Sequence, residues 1–255
     1  MQIPHRKART RCVGLARALS KLGYCSRSQA TELIRAGRVR LNGKARRDPE
    51  TPVALEGDHI EVDGQPAHAA RKIYWMMNKP RGAVTTASDE KRRKTVYDLL
   101  PQDLPWIAPV GRLDKASEGL LLFTNDSEWA ARITAPDTHL DKTYHVQVNR
   151  LVDSAELLRM TRGVRVESGE MLQGRSASVL RQGERNCWLE IVLDEGKNRQ
   201  IRRMLGSMGI ETLRLVRVAI GPLKLAELAN AASRSLSAQE KSALDNAMRG
   251  RLRSK

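Results

Sequence analysis

Two short apolar runs constrain this chain most: IYWMMNKP, closed by Pro80, and LLLF at 120–123, entered from the charged stretch GRLDKASEG. The first, a continuous apolar run with aromatics, reads as a fully buried strand, and the second as a strand about to enter the core. Around them helical and strand patterns are interspersed. SEWAARIT has helical spacing, and Asp153 with Glu156 is a capping box for a helix ending near Gly163. KTYHVQV alternates, which puts Tyr144, Val146 and Val148 on one face. GVRVES, SASVL, CWLEIVL and LRLVRVAIG read as further strands. Asn198 is placed to cap a helix carrying Ile201, Leu205 and Met208 inward, with Gly209 as its terminator, and a last helix is expected over 238–248. No steady β-α-β rhythm emerges. The pattern predicts an α+β body built on a mixed, mainly antiparallel sheet rather than a Rossmann fold, and it holds no solenoid repeat.

Charge separates the front of the chain from this body. The 255 residues carry a net +16, and residues 1–50 hold 13 Lys/Arg against 3 Asp/Glu. The last seven residues add four positive charges and no acid, which leaves the middle 198 residues at only +2. Residues 1–12 read as a basic disordered arm. Over 13–64, Leu15, Ala18, Leu19 and Leu22 mark one helix closed by Gly23, and Ser26 with Gln29 opens a second that stops at Gly37. Val39 and Leu41 then alternate with arginines ahead of an Asn42-Gly43 turn, and HIEVDG supplies a later strand. Lys21, Arg27, Arg35, Arg38, Arg40 and Lys44 are interleaved with that apolar pattern, so they belong on the surface of a small folded α/β unit. A linker over 65–71, a body over 72–248 and a basic tail over 249–255 complete the organisation. SDEKRRK, at 88–94, is expected to be a solvated loop. A basic module joined to a near-neutral body suits a protein that grips a polyanion and acts on it elsewhere.

Several chemistries find no motif. The sequence has no P-loop, dinucleotide fingerprint, HExxH or nucleophile elbow, and the five histidines show no ligand spacing. Cys12, Cys25 and Cys187 are odd in number and lack C-x-x-C pairing, which disfavours a cysteine-built zinc site and fits a reducing cytoplasm. No apolar run approaches the ~18 residues a membrane helix needs, and the basic start lacks the apolar core of an export signal. A metal-free, nucleotide-free chemistry is the expectation.

The block Gly111-Arg112-Leu113-Asp114, followed by Ser117-Glu118-Gly119, carries the chemical interest. It sets a carboxylate in a Gly-bracketed loop at a strand mouth, two residues from a cation. Such a carboxylate stays ionised and suits a nucleophile or general base, although an Asp capping a turn would look the same. PVGRLDKASEGLLLFTND resembles the catalytic motif of the RsuA/RluB-type ribosomal RNA pseudouridine synthases. The NKPRG, DKTYHVQV, EGKNRQIRRML and LRLVRVAIG blocks follow that family's order, and LARALSKLGYCSRSQATELIRAGRVRLNGK resembles its N-terminal S4 RNA-binding domain. The resemblance implies a catalytic role for Asp114, as nucleophile or base, and an Arg112 that fills the gap left by a flipped base. It implies that Tyr144 packs on the target base and Leu215 lines the pocket floor. Arg202 is matched to the basic residue that pairs with the catalytic aspartate, with Arg199 and Arg203 close enough in sequence to serve instead. Among family members, it leans towards large-subunit enzymes over small-subunit ones. The implied partner is ribosomal RNA or a pre-ribosomal particle, met by a monomer without cofactor, nucleotide, metal or membrane. A non-catalytic S4-type assembly protein is the alternative, set against by the intact R-L-D, K-T-Y and Q-I-R. A DNA-binding regulator would want a recognition helix instead.

Overall fold

The computed structural model describes residues 12–86, 93–138 and 140–250. Most of the expected basic arm, the charged loop and the basic tail fall outside these. Chain contacts divide the protein into two units, the first comprising the chain through Ile73 together with 105–108 and 125–127, the second the remainder.

In the first unit, Cys12 is already structured. Strand Cys12–Gly14 pairs antiparallel with Pro52–Ala54, so the arm expected over 1–12 gives way to backbone pairing at its last residue. Helix Leu15–Lys21 buries Leu15, Ala18 and Leu19. Helix Arg27–Arg35 opens on the expected reciprocal box, with Gln29 N donating to Ser26 Oγ and Ser26 N donating to Gln29 Oε1, both at 3.1 Å. Ala30 and Ile34 face inward. Strands Val39–Leu41 and Lys44–Arg46 meet across Asn42-Gly43, where both residues have positive φ as a tight hairpin turn requires. Ile60–Val62 flanks Val39–Leu41 on its other side, and Gln65–Pro66 pairs back onto it after a turn at Asp63-Gly64. That last strand corrects the linker expected over 65–71: Gln65 and Pro66 complete a four-stranded sheet, and Ala70 N donates to Leu22 O.

The second unit is built on one mixed sheet. Its main path runs Ser176–Gln182, Cys187–Leu193, Lys142–Val148, Thr212–Ile220, Glu118–Thr124, Tyr74–Lys79, Ser233–Ser235. Along this path, the pairing of Thr212–Ile220 with Glu118–Thr124 is parallel and the other pairings are antiparallel. Central placement explains why all seven residues of Glu118–Thr124 are buried. Helix Ser154–Arg162, capped by Asp153 and ended by Gly163, and helix Gln200–Gly206 supply Met160, Ile201, Met204 and Leu205 to the core on one face, against Val146, Ile191 and Leu215. On the opposite face Leu120, Leu122 and Met76 pack with Trp129 and Ile133 of Ser127–Thr134 and with Leu244 and Met248 of Ala238–Gly250. The expected Asn198 cap is corrected. Arg199 occupies the cap position in a left-handed conformation and offers no side-chain cap bond.

Gly119 makes the parallel pairing possible. Its φ is +103°, and a Cβ there would lie 2.3 Å from the Arg217 carbonyl oxygen, a backbone atom that cannot step aside. Gly119→Ala should therefore lower the unfolding free energy by about 2–3 kcal/mol in urea titration. An unchanged midpoint would refute this close-approach role.

Candidate active site

The loop that presents Asp114 is tied down from beneath. Lys79 ends the apolar strand Tyr74–Lys79 yet is fully buried, because its ammonium donates to the carbonyls of Pro80 at 3.1 Å, Asp114 at 3.2 Å and Ser117 at 2.9 Å. Further ties come from the side. Thr85 Oγ1 donates to Leu113 O at 2.8 Å, Gly82 N donates to Lys115 O at 2.7 Å, and Ser117 N closes a turn onto Asp114 O at 3.0 Å. Leu113 is buried as the anchor while Arg112 before it is exposed. Asp114 is half-buried, and among the described residues its carboxylate has no hydrogen-bond or ion-pair partner. All the holding is done through backbone, so the carboxylate is left available for chemistry.

A row of side chains forms the floor. The pairings Lys79 with Gly119, Gly119 with Arg217 and Arg217 with Tyr144 place these residues side by side across four adjacent strands, on the face covered by the Met160 and Met204 helices. Tyr144 is half-buried against that core, and Leu215, beside Val146 on the same face, is buried, as suits an apolar lining. Arg217 is only 6% exposed; its Nε donates to Leu120 O at 2.8 Å.

The three arginines matched to a partner for Asp114 separate clearly. Arg203 is engaged elsewhere: it donates to Glu170 Oε2 at 2.7 Å and Ser168 Oγ at 3.0 Å. Arg199 is exposed at the helix start. Arg202 reaches into the site, but it ties carbonyls rather than the carboxylate, donating to Ala116 O at 3.1 Å and Thr212 O at 3.2 Å. The expected Arg202–Asp114 salt bridge is thus replaced by a bridge from helix to loop, with Asp114 felt only through space. Burial and nearby Arg199 pull the Arg202 pKa down while Asp114 pulls it up. Gln200, the buried first residue of this helix, donates to Glu195 Oε1 of the preceding loop at 2.8 Å and to the distant Gln173 O at 2.9 Å.

Sequence reasoning passed over Lys79, Gln200 and Arg217. Lys79 reads as the polar end of an apolar run. Arg217 could have been found by parity, since it shares its alternation phase with Leu215 and Ala219 and therefore points inward. In the first unit, Arg27, Arg35, Arg40 and Lys44 are exposed. Arg38 differs from them. Asp63 clamps its guanidinium at 2.8 and 2.5 Å, so much of its charge is already countered.

No three His, Cys, Asp or Glu side chains among the described residues come together as a metal-binding group. No helix among them is long and apolar enough to cross a membrane.

A carboxylate without a partner among the described residues, on a pinned loop, a sheet face carrying an inward tyrosine and a basic α/β front unit together define a class. The chain belongs to the RNA pseudouridylate synthase family, whose model matches residues 73–207, and it carries an S4 domain matched at 13–60. It is 39% identical over 230 residues to an uncharacterized RNA pseudouridine synthase of Aquifex aeolicus, covering 89% of this chain and 92% of the relative. It is 35% identical over 228 residues to ribosomal large subunit pseudouridine synthase B of Bacillus subtilis, covering 89% and 93%. A crystal structure of a pseudouridylate synthase superposes with a TM-score of 0.64 at 29% identity, over 91% of this chain and 99% of that one.

Burial pushes the Lys79 pKa down from 10.5 to about 8, against the upward pull of Asp114 and Glu118. Below that value, folded and unfolded chains both hold the proton. From about 8 up to 10.5 the unfolded chain binds it and the folded chain does not, so stability rises with pH across that window. In urea unfolding, the difference between wild type and Lys79→Met should therefore move in favour of wild type from pH 8 towards 10.5. A difference independent of pH would show that the ammonium keeps its proton inside the fold.

Proposed function

We propose that this chain converts a uridine of large-subunit ribosomal RNA to pseudouridine, as a cytoplasmic monomer needing no metal, nucleotide or other cofactor. The observation that carries the reading is the Asp114 carboxylate, unpartnered among the described residues on a loop whose backbone is held by Lys79. In the reaction the bond from C1′ to N1 breaks and C1′ bonds to C5 instead. C5 loses its proton, N1 gains one, and no net redox change or phosphoryl transfer occurs. A carboxylate acting as nucleophile or base suffices for such a rearrangement if water is kept away. Tyr144 stacks on the base, Leu215 lines the pocket, and Arg112, exposed beside Asp114, takes the space in the RNA that the flipped base leaves. Arg202 positions Asp114 through the Ala116 carbonyl, and Arg199 adds positive charge at the rim. The Bacillus subtilis relative, named for the large subunit, supports the choice of RNA.

Mapping pseudouridines in ribosomal RNA from cells with and without the gene should show one large-subunit position that depends on it. Asp114→Asn should fail to restore that position while retaining fold and RNA affinity; turnover within tenfold of wild type would refute the assignment.

The first unit supplies the grip on RNA through Lys21, Arg27, Arg35, Arg40 and Lys44, with Arg38 contributing least because Asp63 already clamps it. Arg40→Ala and Lys44→Ala should each flatten the log–log salt dependence of RNA binding by roughly 0.7–0.9, as expected for one lost phosphate contact. Arg38→Ala should change the slope less. Equal slopes for all three variants would show that pairing to Asp63 does not withhold Arg38 from the RNA.

A further inference from the structure

Two buried cations, Lys79 and Arg217, and the half-buried Arg202 stand on the elements that carry the site, and Lys79 and Arg202 are largely occupied by the Asp114 loop and its neighbours. The Lys79 ammonium has three protons and donates to three carbonyls. Arg202 uses both terminal nitrogens on the carbonyls of Thr212 and Ala116, which leaves only its inner Nε buried without a partner. Arg217 is engaged the other way round: its inner Nε donates to Leu120 O, while the terminal Nη2 is buried without a hydrogen-bond partner, and no carboxylate lies within ion-pair distance among the described residues. Burying a cation without an ion-pair partner is costly, and an inward strand position could have been filled by an aliphatic residue at no such cost. The residue sits where that cost has a use. It stands beside Tyr144 and is separated from Lys79, whose ammonium holds the Asp114 carbonyl, only by Gly119, which has no side chain to cover it.

We propose that Arg217 recognises a carbonyl oxygen of the flipped uracil and stabilises the negative charge that the base acquires as its bond to C1′ breaks. The inference rests on the function proposed above and adds a base-recognising residue to it. When the C1′–N1 bond breaks, its electron pair stays on the base and spreads over N1, O2 and O4. C5 then returns a pair to C1′, C5 loses its proton and N1 takes one up. Arg217 donates hydrogen bonds throughout and transfers no proton, since a guanidinium keeps its charge. In a buried site such a preset donor is worth far more than in water, and it faces the charge only as that charge develops. Phosphates are poor candidates for this group, because the floor beside Tyr144 lies inside the fold whereas the exposed Arg112 stands at its rim.

The test uses the full-length protein, single-turnover kinetics and a ribosomal RNA fragment containing the mapped uridine. Arg217→Met should slow conversion by about 100-fold while leaving the fragment Kd within about threefold, with Arg217→Lys intermediate. With wild-type protein, fragments carrying 2-thiouridine or 4-thiouridine at the target replace one carbonyl oxygen by a weak acceptor. One of the two should react at least about tenfold more slowly, and that substitution should cost little further in Arg217→Met. Two results would overturn the proposal: a folded Arg217→Met variant turning over within about threefold of wild type, or both thio-substrates reacting with wild type as fast as uridine. The second needs no variant to fold. If Asp114→Asn is inactive while Arg217→Met and the thio-substrates behave normally, the role of Arg217 fails and the function stands. If wild type leaves the fragment unmodified, the proposed substrate itself is wrong.

Discussion

The buried ammonium of Lys79 is the interaction on which the rest of the site depends. A lysine carried into the interior on a strand next to the sheet edge loses its hydration, and three carbonyl oxygens replace the water it gives up. Two of those carbonyls belong to Asp114 and Ser117, the ends of the turn that carries the candidate carboxylate. The group that needs solvation and the loop that needs holding satisfy one another. The sheet makes this possible, since Lys79 stands opposite Gly119 in the register and meets no side chain there.

Arginine dominates the chemistry of the second unit, and what each guanidinium already holds limits what it can do. Arg203 is committed to Glu170, Arg214 to the buried carboxylate of Glu118 at 2.8 Å, and Arg202 to two carbonyls. Arg112 is exposed, and Arg217 is buried with an orphan nitrogen. These differences follow from strand parity and helix face. Adjacency in sequence predicts none of them: Arg202 and Arg203 are neighbours, yet one bridges to the Asp114 loop while the other joins an acidic cluster with Lys197.

The same principle holds in the first unit. Its basic residues look alike in the sequence, but the turn at Asp63-Gly64 brings a carboxylate against Arg38 and leaves Arg40 exposed on the strand that follows it. Net charge describes the attraction to a polyanion, whereas the local pairs decide which side chains remain available to phosphates.

Local signals were legible from the sequence because their causes are local. The Ser26 and Asp153 capping boxes, the Asn42-Gly43 turn and the alternation of Tyr144, Val146 and Val148 each depend on residues a few positions apart, and each is found as the spacing implies. The Asp114 block was legible for a different reason: a carboxylate between glycines at the mouth of a buried strand resembles a known motif. What the sequence could not determine is which distant groups meet. The bond from Lys79 to the Asp114 carbonyl spans 35 positions, that from Arg202 to Ala116 spans 86, and that from Arg217 to Leu120 spans 97. Register and strand order decided those contacts, together with the rule that a buried cation must find oxygen; no local spacing encodes them. Local turns, caps and strand alternation thus came from the chain itself, whereas the ends of elements that depend on distant pairing, such as Gln65–Pro66, did not. The tertiary structure decided which cations are occupied by carbonyls and carboxylates, and that Arg217 brings a terminal donor into the fold without a partner among the described residues.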